Sequence, residues 1–86
     1  MNQKMHSHTF VEHYEGMVGF GLDRETDEKS LMVYLQKFSD DALLAALVPR
    51  LSPDEIQDLF ERISLLLKKH LRKAEYHRLF LKDENA

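Results

Sequence analysis

LSPDEIQDLFERISLLLKKHLRKAEYHRLFL, residues 51–81, is the stretch that decides how this chain folds. Its opening specifies a helix start. Ser52 is placed to accept a hydrogen bond from the backbone N–H of Glu55, and Glu55 to reach back to Ser52. Pro53 takes the first helical position, where no N–H is needed. Leu51 and Ile56 flank that turn at the spacing of a hydrophobic staple. Neither glycine nor proline follows over the next 28 residues. The reading therefore predicts one helix over residues 53–81, roughly 42 Å long at ~1.5 Å per residue. A domain of 86 residues is too small to cover such a helix, so a partner subunit is expected.

Ile56, Leu59, Phe60, Ile63, Leu66, Leu67, Leu71 and Ala74 recur at the i, i+3, i+4 spacing of an amphipathic helix. Three successive leucines, Leu65, Leu66 and Leu67, span about 200° of a helix at ~100° per residue, which predicts burial on more than one side. Tyr76, Leu79, Phe80 and Leu81 repeat the excess further on. The expected interface is Leu65, Leu66, Leu67, His70, Tyr76, Leu79 and Phe80. Charge sets the direction of pairing. Asp54, Glu55, Asp58 and Glu61 make the first part of the stretch acidic, whereas Lys68, Lys69, Arg72, Lys73 and Arg78 face only Glu75 in the second. Two copies laid antiparallel bring acid against base.

Upstream of residue 51 the apolar spacing predicts shorter helices at about 10–18, 27–38 and 40–48, after a flexible tail at 1–8. Their expected caps are Thr9 with Glu12, then Thr26, then Ser39. Gly16, Gly19 and Gly21 limit the first of these, and the alternation of Val18, Phe20 and Leu22 makes an extended segment at 17–22 the competing reading. The fold class expected is all-α: one domain over 9–86, with three to four helices, a long C-terminal one among them, in an intertwined or antiparallel homodimer.

Composition narrows the function classes. Hydrophobic residues make up 43% and charged residues 31% of the chain, as in a globular protein, and no apolar run approaches a membrane span. The polar start MNQKMHSH lacks a signal-peptide core, so the expected location is the cytoplasm. With no cysteine there are no disulfides, thiolate zinc sites or thiol catalysis. The net charge of −3 conceals a balance of −8 over residues 12–61 and of +6 over 62–82, halves that favour meeting each other or a partner.

His6, His8 and His13 form the only metal-like cluster, with no supporting carboxylate at a motif spacing, so neither a metal nor another cofactor is expected. His70 and His77 stand seven apart, beyond the i, i+3 or i+4 spacing of two ligands on one helix, and are expected as boundary residues of an interface. The basic segment 68–78 could follow a phosphate backbone, and it supports a nucleic-acid-associated regulator as the alternative function, with a metal-responsive protein using His6, His8 and His13 as the third. LVPRLSPDEIQDLFERI, residues 47–63, resembles a helix start of Trp-repressor-like proteins. The resemblance covers 17 residues and lacks the glycine-punctuated reader helix of that family, so no function follows from it. The acidic pairs Asp40–Asp41 and Asp54–Glu55 sit in first helical turns, where carboxylates serve the helix dipole rather than catalysis. The sequence thus predicts a small non-catalytic interaction or regulatory module acting through an apolar helical surface, with itself and possibly another protein as partner.

Overall fold

The computed structural model describes residues 8–83. The regular structure of these residues is all helix with no strand, so the all-α class holds, and residues 17–22 form neither strand nor helix. Five α-helices follow in order: α1 (Thr9–His13), α2 (Arg24–Phe38), α3 (Asp41–Leu47), α4 (Pro53–His70) and α5 (Lys73–Glu75). A 3-10 turn, Val48–Arg50, follows α3, and a π-helical turn, Tyr76–Phe80, follows α5. The chain divides into two compact units, Met1–Pro49 and Arg50–Ala86.

In the N-terminal unit, α1 is a single turn rather than a helix over 10–18. Tyr14 is already extended, at φ −76° and ψ 121°. Its ring stacks on Phe10 at 5.2 Å, and its hydroxyl donates to the carbonyl of Met17 at 3.0 Å. The ring lies so close to Gly16 that a Cβ there would collide with it. Thr9 stands inside the turn, and its expected cap is replaced by a bond from α2: the Val11 N–H donates to Gln36 Oε1 at 2.8 Å.

Helix α2 begins three residues before the expected start, because Asp23 and not Thr26 is its cap. The Asp23 carboxylate accepts from the Thr26 backbone N–H at 2.8 Å and from its hydroxyl at 3.0 Å. These two bonds, the backbone one first, hold the Asp23 carboxyl below its ordinary pKa. A depressed carboxylate contributes stability at neutral pH and loses it as pH falls through the lowered value. Asp23→Asn keeps a capping oxygen that no longer titrates. Subtracting its acid-unfolding curve, read as helical ellipticity, from that of the parent chain should therefore isolate a loss of α2 confined to pH below ~4. Coincident curves would remove Asp23 from that role.

Ser39 is likewise not the cap of the next helix: it closes α2, its hydroxyl donating to the Gln36 carbonyl at 3.2 Å. Asp40 caps α3, its carboxylate accepting from the Leu43 N–H at 3.1 Å. Both misplacements have one cause. An aspartate lies within three residues of each expected hydroxyl cap, and its charge makes it the better acceptor at a helix N-terminus.

The core of this unit is small. Val33 is 7% exposed and Ser30 fully buried, the only buried residues among those described. The Ser30 hydroxyl accepts from the Gly19 N–H and donates to the Gly19 carbonyl, each at 2.9 Å, and so pins the loop between α1 and α2 onto α2. Gly21, with φ +91°, supplies the left-handed turn that follows, and its N–H donates to Asp27 Oδ1 at 2.9 Å.

In the C-terminal unit the start of α4 is as read. Ser52 Oγ accepts from the Glu55 N–H at 3.1 Å, and Glu55 Oε1 accepts from the Ser52 N–H at 2.9 Å. Ser52→Ala should lower stability by about 0.5–2 kcal/mol, measured as a fall in thermal midpoint, with an unchanged midpoint refuting the cap's importance.

The predicted helix over 53–81 is broken. Helix α4 stops at His70, and Leu71 and Arg72 are extended, with ψ of 140° and 163°. Glu75 Oε1 then accepts from the Arg72 backbone N–H at 2.8 Å and restarts the helix as α5. That bond is the main reason why the Glu75 carboxyl lies below its ordinary pKa. Tyr76 and Phe80 stack at 5.3 Å across the π turn.

Candidate functional site

The residues read from the sequence as an interface are divided by this break between α4 and the π turn beyond it. On α4, Ile56, Leu59, Phe60, Ile63, Leu66 and Leu67 fall within an arc of about 120°, at ~100° per residue. Leu65 lies about 160° from Ile63 on the same count, so the leucine triplet serves two faces. Five members of the arc are left uncovered: Ile56, Leu59, Phe60, Ile63 and Leu66 are between 39% and 66% exposed. Scattered apolar residues are ordinary on a protein surface, but a contiguous stripe along one helix face is not.

Leu67 is half-buried and lines a groove with Ser64, Lys68, Leu71, Lys73 and Tyr76. Leu79 and Phe80, exposed at 48% and 46%, belong to the π turn and not to α4. His70 is the last residue of α4 and exposed, whereas His77 stands in the π turn, so the two do not share one helix face. His77 Nδ1 is buried 3.6 Å from Asp83 Oδ2, and the Asp83 N–H donates to the His77 carbonyl at 2.8 Å.

The basic segment is divided too. Lys68 and Lys69 end α4, where cations suit the dipole. Arg72 Nε lies 3.5 Å from Glu75 Oε1, and Lys73 shares the groove with Lys68. Arg78 is in the π turn. The five cations therefore do not form one stripe along a helix.

In the N-terminal unit, His8 Nε2 lies 2.7 Å from Ser39 Oγ, and Glu12, Asp40 and Asp41 line the same shallow hollow. No described carboxylate hydrogen-bonds the other ring nitrogen of His8, the arrangement a serine nucleophile requires. The pair closes the end of α2. Of the three N-terminal histidines, His6 lies outside the described residues, and no group of three or more His, Asp or Glu among the described residues is placed to hold a metal ion. No described helix is long and apolar enough to cross a membrane.

The sequence reading missed that α4 ends at His70, for which the signal is the Arg72 to Glu75 spacing of a new cap; the 200° spread of the leucine triplet already set Leu65 off the stripe, at ~100° per residue. No protein-family model matches the chain, and neither a curated protein nor a solved structure matches it.

Proposed function

We propose that the chain is a small cytoplasmic interaction or regulatory module, without catalysis, whose working surface is the apolar face of α4. The observation that carries this reading is the uncovered stripe Ile56, Leu59, Phe60, Ile63 and Leu66 on a helix whose start is fixed by its own capping box. Most of the stability of a helix in a protein comes from packing its amphipathic face, and the apolar face of this 18-residue helix is left open. A protein surface that accepts an amphipathic helix, read through its i, i+3, i+4 and i+7 anchors, meets that need. The absence of cysteine suits a reducing compartment.

The test is photocrosslinking in cells that express the full chain, with a benzophenone side chain at residue 63 or, as control, at residue 65 on the opposite face. The reading expects protein adducts at 63 at least five-fold above those at 65. Equal yields, or no adduct at either site, would overturn it. Adducts to nucleic acid at 65 without protein adducts at 63 would favour the alternative based on Lys68, Lys69, Arg72, Lys73 and Arg78.

A further inference from the structure

We infer that the occupant of this face is a second copy of the chain, its α4 packed antiparallel about a two-fold axis near residue 61. This rests on the interaction reading above and deepens it by naming the partner and the register.

With the helix ending at His70, the stripe is a short heptad seam. Ile56 and Ile63 take the first core position, a, and Leu59 and Leu66 the second, d. Antiparallel helices pack a against d. Pairing Ile56 with Leu66 of the second copy places Leu59 against Ile63, then Ile63 against Leu59, then Leu66 against Ile56. All four layers are apolar, and the arrangement is its own image under a two-fold rotation, as an isologous interface requires.

The edges of the seam agree with this direction. On one edge the register sets Glu55 beside Lys69 of the other copy, twice by symmetry. On the other it sets Phe60, 66% exposed, beside its own counterpart at the axis, with Leu67 toward Pro53. The only like-charge meeting is Arg62 with Arg62, one helical turn from Asp58 of its own chain. A parallel, in-register pair offers no such match: Glu55 falls beside Phe60, Arg62 beside Leu67, and the acidic first turns, Asp54 and Glu55, lie side by side. Covering the five exposed side chains on both copies removes on the order of 1,000 Å² from water, about the smallest area that holds a specific pair. The centre of the seam thus moves from the leucine triplet to the turn between Leu59 and Ile63.

The chain has no cysteine, so introduced thiols report unambiguously. Full-length Ile56→Cys and Leu66→Cys variants are to be mixed, oxidised mildly and weighed by mass spectrometry, with light scattering on the unmodified chain alongside. The antiparallel register expects the mixed disulfide at least ten-fold above either homodisulfide, and an unmodified chain that scatters at twice 10.1 kDa at tens of micromolar. In a parallel pair the two positions stand about 15 Å apart along the helices at ~1.5 Å per residue, and homodisulfides would dominate. That result overturns the direction. A mass of 10.1 kDa with no disulfide overturns self-association. If the residue 63 adducts then contain a different protein, the interaction reading stands without this one; if there are none, both fall.

Discussion

Replacing Ser30 with alanine is expected to destabilise the N-terminal unit by about 1–3 kcal/mol, the cost of leaving a buried polar backbone group unpaired. The Ser30 hydroxyl is both acceptor for the Gly19 N–H and donor to the Gly19 carbonyl, so one substitution orphans two backbone groups. Gly19 is half-buried and water regains part of what is lost, which keeps the total within the range for a single group. Ser30 and Val33 are the only buried residues described, and a loss of this size is a large share of the ~5–15 kcal/mol that holds a typical domain together. Urea denaturation followed by tyrosine fluorescence, to which Tyr14 and Tyr34 contribute, would show a lowered midpoint. Ser30→Cys, similar in size and a weaker hydrogen-bonding group, should fall between alanine and the parent. Identical midpoints for all three would mean that the loop holds its place without this hydroxyl.

Removing the Glu75 carboxylate is expected to let α4 run on. Leu71, Arg72, Lys73, Ala74 and Glu75 are all good helix formers, so nothing intrinsic to the segment breaks the helix. What holds the break is the bond from the Arg72 N–H to Glu75 Oε1, with the Arg72 guanidinium 3.5 Å away. Glu75→Ala deletes that acceptor, and the continuous helix then regains the backbone bonds given up at Leu71 and Arg72. Spin labels at residues 57 and 79 would report it, because a continuous helix holds them about 33 Å apart at ~1.5 Å per residue. The variant should show this distance as its main population, and the parent chain at neutral pH should not. Since the Glu75 carboxyl lies below its ordinary pKa, the break is secure above that ordinary value and is lost as pH falls through the depressed one. Acidification below ~4 should therefore move the parent chain toward the distance seen in the variant. A parent and a variant with the same distances at every pH would dismiss Glu75 as the cause.

The sequence by itself determined what depends on neighbours three or four residues apart. The all-α class, the capping box at Ser52 and the stripe from Ile56 to Leu66 are of this kind, because a capping bond and a helix face are fixed by local spacing. The choice between two nearby caps was also local, and it failed at Thr26 and Ser39 only because Asp23 and Asp40 offered a charged acceptor. Tertiary structure decided what depends on distant partners. That α1 stops at His13 goes with Tyr14 turning extended and its ring lying over Gly16, while Gln36 of α2 accepts the Val11 N–H at the start of the turn. That the loop at Gly19 is held at all follows from Ser30, eleven residues away, whose small polar side chain carries no core signal in a hydropathy pattern. The break at Leu71 stands between these cases. Its capping glutamate is visible in the sequence, but every residue from Leu71 to Glu75 is a good helix former, so the same pattern also fits a continuous helix, and the structure shows that the local cap prevails. The same break set the length of the candidate surface, because it ended the apolar stripe at His70 and left Tyr76, Leu79 and Phe80 to a separate turn.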